Sequence, residues 1–290
     1  MLFVLIPLLV AMAPLAAARE PLAQRIAHTD PAQYRKIKAV HYGAGELHYQ
    51  GLLDATSLNT NLLFLHRGVI PPKGGIGHHF HNHMEEMFVI FDNEAEFTIS
   101  GHTSRLTGPG GAPCRMGQSH AIYNHSDRPT EWMNIAVGSI KGKYDATDLE
   151  DDRVGVTLDR KPVFITMKLD RTLLKAMEGR FGGKGTVRYR RALQPEVFYT
   201  NWSYVDHLLI PAGASEGKHR HQGVEEFYYV MSGEGTVTVN DESVKIRKGD
   251  AVPVELGEVH SFEAGDSGDL ELMIVGVARV KWSLDAEEVR

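Results

Sequence analysis

The sequence contains a single cysteine, Cys114, among 290 residues. A chain with one cysteine forms no internal disulfide, even in an oxidising compartment. Stability must therefore come from packed cores and, where suitable donor side chains converge, from bound metal. Cys114 itself follows Pro113 and is expected to be a small buried side chain rather than a reactive thiol.

Positive charge is also limited, since 31 Lys and Arg stand against 37 Asp and Glu, for a net charge of −6. The sequence has no basic stripe interleaved with aromatic residues, so DNA or RNA binding is not expected. Low-complexity runs are absent as well, and 42% apolar with 23% charged residues is ordinary for a globular protein. The composition argues against a disordered chain.

One uncharged apolar run stands at the start, "MLFVLIPLLVAMAPLAAA", and it ends in three alanines. This pattern predicts a signal peptide over residues 1–18, cleaved before Arg19, and therefore export to the periplasm or the exterior. A retained membrane anchor is the alternative, but the run is short for a span and is interrupted by Pro7 and Pro14. No stable membrane span is expected after removal of the signal peptide.

An internal repeat organises the rest of the chain. The stretch "IGHHFHNHMEEMF" at 76–88 matches "GKHRHQGVEEFYYVMSGEG" at 217–235 at an offset of 140 residues. The pairs that recur are His79 with His219, His81 with His221, Glu85 with Glu225, Glu86 with Glu226, Pro113 with Pro253, Gly117 with Gly257 and His120 with His260. The repeat predicts two copies of one unit, residues 40–142 and 180–283.

Both copies have the pattern of an all-β protein. Short β-branched and aromatic runs such as "EEMFVIF" and "EEFYYVM" alternate with turn residues, which is typical of a sandwich or a closed barrel. The linker, residues 143–179, begins with an acidic, solvated stretch, "YDATDLEDDRVG". It continues with "LDRTLLKAMEG", where Leu169, Leu173, Leu174 and Met177 share a helical face that predicts a short helix ending at Gly179.

The recurring histidines and glutamates predict a metal site in each copy. Side chains two apart on a strand share a face, so His-x-His directs two imidazoles into one interior. A glutamate from the next strand and a third histidine, His120 or His260, complete each set. Three neutral imidazoles and one carboxylate suit Mn, Fe, Ni, Cu or Zn and leave coordination positions open for a substrate. Satisfied interior histidines without metal are the alternative.

These residues resemble the two motifs of the cupin superfamily. The second copy matches them at Gly213, His219, His221, Glu226, Gly233, Pro253, Gly257 and His260, and the first at His79, His81, Glu86, Pro113, Gly117, His120 and Asn124. Asn93 replaces the glycine that the second copy has as Gly233. The resemblance implies a bicupin of two tandem jelly-roll-like β-barrels, and its spacing selects Glu86 and Glu226, rather than Glu85 and Glu225, as ligands.

The resemblance leaves the reaction open, because cupins host many unrelated activities. The leading hypothesis is an exported metalloenzyme, a dioxygenase or an isomerase or lyase, acting on a small oxygenated molecule. Tyr204, His207 and Tyr228 are its candidate catalytic residues in the second copy. A non-catalytic sugar- or metabolite-binding protein with structural or ligand-anchoring metal is the alternative, and association into a homo-oligomer is a family-level expectation.

Overall fold

The computed structural model describes residues 19–290, so the predicted signal peptide lies outside the described residues. Within this range no helix has both the length and the apolar character needed to cross a membrane. In the part of the chain that the structure describes, helical structure is confined to one α-helical turn, α1 (Leu22–Arg25), and to 3₁₀ turns at Pro31–Gln33, Val40–Tyr42, Arg171–Leu173, Arg180–Gly182 and Pro195–Val197.

Strands make up about half of the described residues, and those of the first half come in this order: β1 (Ala27–His28), β2 (Arg35–Lys38), β3 (Glu46–Asp54), β4 (Leu62–Ile70), β5 (Gly75–Phe80), β6 (Met84–Ile90), β7 (Glu94–Ile99), β8 (His102–Thr107), β9 (Gly110–Cys114), β10 (Ser119–Tyr123), β11 (Thr130–Gly138) and β12 (Thr147–Asp148). The offset of 140 residues found in the sequence carries each of these strands onto one in the second half.

The second half accordingly contains β13 (Met167–Lys168), β14 (Lys175–Glu178), β15 (Thr186–Leu193), β16 (Trp202–Ile210), β17 (Ser215–Arg220), β18 (Val224–Ser232), β19 (Glu234–Val239), β20 (Glu242–Arg247), β21 (Asp250–Val254), β22 (His260–Ala264), β23 (Leu270–Ala278) and β24 (Glu287–Glu288). The predicted all-β class is therefore confirmed, with strands outside 40–142 and 180–283 adding to each unit.

Each unit is a barrel built from a seven-stranded and a five-stranded antiparallel sheet. In the first barrel the orders are β13-β9-β6-β11-β4-β3-β2 and β12-β5-β10-β7-β8. In the second they are β1-β21-β18-β23-β16-β15-β14 and β20-β19-β22-β17-β24. Apolar side chains from both sheets fill each barrel, including Phe88 and Phe97 in the first and Val237 and Phe262 in the second. This is the jelly-roll-like arrangement expected of a closed sheet pair.

The two barrels exchange their N-terminal strands. Strand β1, at the start of the chain, pairs with β21 of the second barrel, with Ala27 opposite Ala251. Strand β13, from the linker, pairs with β9 of the first barrel, with Met167 opposite Gly111. Because each barrel's seven-stranded sheet is completed by the other half, neither sheet is whole without its neighbour.

A third apolar core lies between the barrels. Along β6, Met87 and Val89 face out of the first barrel, and along β18, Phe227 and Tyr229 face out of the second. These side chains join one continuous buried cluster that also includes Trp202, which is fully buried. The alternation of a strand thus gives both faces of each seven-stranded sheet an apolar environment.

Two buried glutamates fasten this interface. The Glu85 carboxylate, which is not exposed, accepts hydrogen bonds from the backbone N–H groups of Tyr199 and Thr200, at 2.8 Å each. Glu225 in the second barrel accepts one from the backbone N–H of Thr60, at 2.6 Å. Charged groups are rarely buried without strong partners, and here the partners come from the opposite barrel.

The prediction of a helix in the linker is wrong. The carboxylate of Asp170 accepts a hydrogen bond from the Thr172 N–H and caps a single 3₁₀ turn, after which residues 175–178 form β14 along β15. Leu173 and Met177, assigned to a buried helical face, are exposed, at 41% and 38%. Pairing with a sheet edge outweighs a helical pattern that is only a few turns long.

Replacing the Glu85 tether should loosen the contact between the barrels. In Glu85→Ala the buried backbone N–H of Thr200 and the partly buried N–H of Tyr199 lose their acceptor, which costs about 1–3 kcal/mol for the buried group. We expect a clear fall in the thermal midpoint and in the urea midpoint, measured by circular dichroism. The exposed Glu178→Ala on β14 is the matched control. Equal midpoints for the two variants would contradict a tethering role.

Candidate metal centres

The first barrel gathers four buried donor side chains at one point. His79 lies on β5, and His81 is the first residue after that strand. Glu86 is on β6, and His120 is on β10. Their ligand atoms all lie within 4.8 Å of one another. The Nε2 of His120 is 3.0 Å from that of His79 and 3.1 Å from that of His81. The structure thus brings together the four residues predicted for this copy.

The second barrel repeats the arrangement with His219, His221, Glu226 and His260, again within 4.8 Å of one another. The Glu226 Oε2 lies 3.2 Å from the Nε2 of His221 and 3.4 Å from that of His260. All four residues are buried. His221 and Glu226 are five residues apart, so on one straight strand they would lie on opposite faces. The turn between β17 and β18 reverses the chain and lets both side chains point into the barrel.

Backbone contacts turn the imidazoles toward the shared point. The Nδ1 atoms of His79 and His219 lie 2.8 and 3.0 Å from the carbonyl oxygens of Gly77 and Gly217. Carbonyl oxygens also contact the Nδ1 of His81, His221 and His260. A proton on Nδ1 leaves the Nε2 lone pair free, which is the orientation found in metal-binding histidines.

Unpartnered atoms in the clusters support a metal. Among the described residues, Glu86 Oε2 and His221 Nε2 are buried without a hydrogen-bond partner, which is costly unless something else binds them. Three imidazoles and one carboxylate supply the nitrogen and oxygen donors that divalent first-row ions take. Each barrel therefore fits one divalent ion.

The electrostatics of each cluster follow from burial and mutual contact. Burial by itself raises the pKa of the Glu86 carboxyl, but the close approach of the three imidazoles outweighs it and holds the pKa well below its usual range. Burial and the neighbouring His260 lower the pKa of His219 to about 2. Burial by itself lowers the pKa of His221, but the charged Glu226 carboxylate raises it to about 9, so a cation that binds here would displace a proton from that imidazole.

The acidic linker is mostly exposed to solvent, as the sequence had indicated, but it also forms a strap that contacts the first metal cluster. The Asp145 carboxylate accepts hydrogen bonds from the N–H groups of Asn82 and His83, and its carbonyl oxygen lies 2.6 Å from the Nδ1 of His81. Strand β12 then pairs with β5. Asp285 and β24, near the C-terminus, make the equivalent contacts with His221 and β17.

Sequence reasoning missed both straps, although a signal was present. Asp145 and Asp285 are separated by the same 140 residues as the ligands, and each stands at one end of its unit. A comparison of the two copies beyond their last histidines would have aligned Asp145 with Asp285. Their role depends on contacts between distant segments, which local composition does not encode.

Two tyrosine hydroxyls contact the glutamate of the second cluster. The Tyr204 hydroxyl donates to Glu226 Oε1 at 2.7 Å, and the Tyr228 hydroxyl donates to Glu226 Oε2 at 2.6 Å and lies 2.9 Å from His260 Nε2. Gly276 makes room for Tyr204, because a Cβ there would lie 2.4 Å from the phenol ring. Both predicted residues thus reach the ligand carboxylate.

The catalytic role predicted for His207 does not agree with its position. Along β16, Tyr204 and Leu208 face the barrel interior, whereas Val205 faces the interface between barrels. His207 shares the parity of Val205, and its Nε2 lies 2.7 Å from a carboxylate oxygen of Glu271. Since strand side chains alternate, His207 is on the wrong face of its strand to reach the metal cluster.

The first cluster opens instead into a cavity of about 390 Å³. Glu86 lines this cavity together with His66, Asn134, Tyr144, His41 and several apolar and aromatic side chains. Asn134 donates to Glu86 Oε1, the role that Tyr204 has in the second barrel. Phe64 and Phe88 occupy the positions of Tyr204 and Tyr228 in the repeat. The two barrels share ligands but not surroundings.

Comparison with known proteins agrees with this architecture. Residues 207–276 match the family model for the cupin domain. An oxalate-binding protein of Thermotoga maritima is 36% identical over 94 residues, which is 32% of this chain and 78% of that protein.

Solved structures of two enzymes share the fold. Oxalate decarboxylase from Lactobacillus farciminis, in a formate complex, superposes with a TM-score of 0.63 at 14% identity, over 91% of this chain and 88% of that one. Salicylate 1,2-dioxygenase from Pseudoaminobacter salicylatoxidans, solved as a tryptophan-to-tyrosine mutant, gives 0.58 at 15% identity, over 79% of this chain and 76% of that one.

Two jelly-roll-like barrels, each with a buried three-histidine and one-glutamate cluster, define the class of double-barrel metal-binding β proteins. The chain belongs to the cupin superfamily, as a bicupin. The resemblance seen in the sequence is therefore confirmed for both the family and the fold.

Each strap should support only its own metal centre. Asp145→Ala should weaken metal binding in the first barrel about 10- to 100-fold, because the lost carboxylate no longer fixes the backbone whose carbonyl oxygen orients His81. Asp285→Ala should do the same in the second barrel. Competition with a chromophoric chelator measures the affinity. The background His219→Ala restricts binding to the first barrel and His79→Ala to the second, each with one ion expected. Equal losses from both strap variants in both backgrounds would contradict a local role.

Proposed function

We propose that this bicupin is a metal-dependent enzyme whose substrate binds in the first barrel. The observation that carries the proposal is the cavity of about 390 Å³ that reaches Glu86 and has the size of a small-molecule site. A bound divalent ion would supply Lewis acidity to substrate oxygens at open coordination positions. The chain's own side chains would bind, orient and exchange protons with that substrate.

The cavity wall favours a particular class of substrate. Leu47, Tyr49, Phe64, Ile76 and Trp132 supply apolar and aromatic surface, and none of the described lining residues is Lys or Arg. A small dianion would find no positive side chain there. A molecule with an apolar body and two neighbouring oxygens, such as a hydroxy-carbonyl compound or a diketone, fits the wall and can chelate an ion.

His66 is the group placed to move a proton. Its ring stacks on Phe64, with centroids 4.2 Å apart, and its nitrogens have no hydrogen-bond partner among residues 19–290. Burial lowers the pKa of His66 to about 4, so the imidazole is neutral at physiological pH and can accept a hydrogen bond, and then a proton, from a substrate hydroxyl whose own pKa a bound ion would lower. Tyr144, half exposed, stands at the cavity wall nearer to solvent.

A second candidate function is suggested by the Thermotoga maritima relative, which is named an oxalate-binding protein. In that case the chain would hold a small carboxylate on its metal without turning it over. The catalytic roles predicted for Tyr204 and Tyr228 in the second barrel stay predictions. Ligand binding without product distinguishes this function from the enzyme.

Turnover should depend on the first barrel. With a panel of diketones, flavonols, oxalate and sugar acids, we expect product formation or oxygen uptake with a hydroxy-carbonyl or diketone member. His79→Ala should abolish it, and His219→Ala should retain it in the folded fraction. His66→Phe, which keeps the stacking on Phe64, should lower kcat about 10²-fold or more.

The exposed His102→Phe is the matched control for His66→Phe, since His102 pairs with Asp159 at the surface. Tight binding of one panel member to the metal-loaded chain without any product would support the binding protein instead. Activity that survives in His79→Ala but not in His219→Ala would place the chemistry in the second barrel and overturn the proposal.

We also propose that the mature protein is exported, with residues 1–18 removed. The support is the uncharged apolar run that ends in three alanines. N-terminal sequencing of protein purified from a cell envelope or culture medium should begin at Arg19. A protein that retains Met1 and sediments with membranes would favour the anchor.

A further inference from the structure

The second metal cluster contains a fifth donor atom that the first lacks. The phenol oxygen of Tyr228 is 2.6 Å from Glu226 Oε2 and 2.9 Å from His260 Nε2. Both of these atoms belong to the ligand set. The hydroxyl oxygen is therefore in direct contact with two of the four ligand side chains.

These separations match the edges of a coordination polyhedron. Donors about 2.0–2.2 Å from a first-row ion, at right angles to each other, lie about 3 Å apart. The Tyr228 oxygen meets this condition toward two ligands at once, and the Glu226 Oε2 atom lies 3.2 Å from His221 Nε2. An ion bound by the histidines and Glu226 would be within bonding reach of the phenol.

The first barrel provides an internal comparison. Phe88 stands at the position of Tyr228, and its ring stacks on His120 with centroids 4.3 Å apart. It offers no donor atom, so the protein does not fill the corresponding coordination position of that cluster. One oxygen atom thus distinguishes two clusters that are otherwise built from the same four residue types.

The geometry points to Tyr228 as an additional protein ligand of the second-barrel metal. On binding, the phenol O–H bond breaks, its proton leaves to solvent, and the oxygen bonds to the ion. Tyr204 has a different role, because within residues 19–290 its hydroxyl hydrogen-bonds only to Glu226 Oε1 and holds the carboxylate in place. With an extra ligand in position, the second centre is suited to holding its ion, whereas the first keeps room for a substrate.

Cu²⁺ serves as the test probe, because it binds nitrogen and oxygen donor sets tightly and a coordinated phenolate gives it a visible charge-transfer band. In the His79→Ala chain, copper is restricted to the second barrel, and we expect one equivalent with that band. Resonance Raman excitation into the band should show phenolate vibrations. The His219→Ala chain, with copper in the first barrel, should bind one equivalent without the band.

Tyrosine variants in the His79→Ala background identify the ligand. Tyr228→Phe should bind copper and lose the band, while the matched Tyr204→Phe should keep it. A second barrel that takes up no copper, or takes it up without the band, would overturn the assignment, as would a band that survives Tyr228→Phe. If Tyr228→Phe fails to fold, Tyr204→Phe in the same background decides, since a phenolate band that is lost there would assign the ligand to Tyr204. None of these measurements depends on turnover, so they test the Tyr228 proposal independently of the enzymatic function.

Discussion

Adjacent glutamates on one strand are the constraint on which both halves of this protein depend. On β6, Glu86 points into the barrel as a metal donor, and Glu85 points out to bind backbone N–H groups of the other barrel. Glu226 and Glu225 repeat this division on β18. Because side chains alternate along a strand, a slip of one residue would exchange the roles and spoil the metal centre and the interface together.

The same alternation explains why the chain behaves as one assembly rather than two independent barrels. Outward-facing side chains of both seven-stranded sheets merge into a common core, and each sheet receives its last strand from the other half. The fully buried Trp202 packs in that common core. The metal clusters therefore stand on sheets whose outer faces are already fixed by the neighbouring barrel, which favours rigid donor geometry.

Duplication has preserved the donors while their surroundings diverged. In the first barrel an amide, Asn134, holds the second oxygen of the ligand glutamate, and space remains beside it. In the second, the phenol of Tyr204 holds that oxygen, and it fits because Gly276 has no side chain. Small changes next to an unchanged ligand set can thus give the two centres different surroundings, and fold alone does not distinguish them.

The sequence by itself determined the duplicated architecture and the identity of the converging donors, because a repeated His-x-His, glutamate and distant histidine at one offset reflect a shared strand pattern. Tertiary structure decided what depends on contacts between distant segments or on strand parity. It placed His207 on the interface face, made β14 from a segment with a helical pattern, and laid Asp145 and Asp285 over their clusters. Local pattern specifies which side chains share a strand face, whereas the neighbour that each face meets is fixed only when the sheets close and dock.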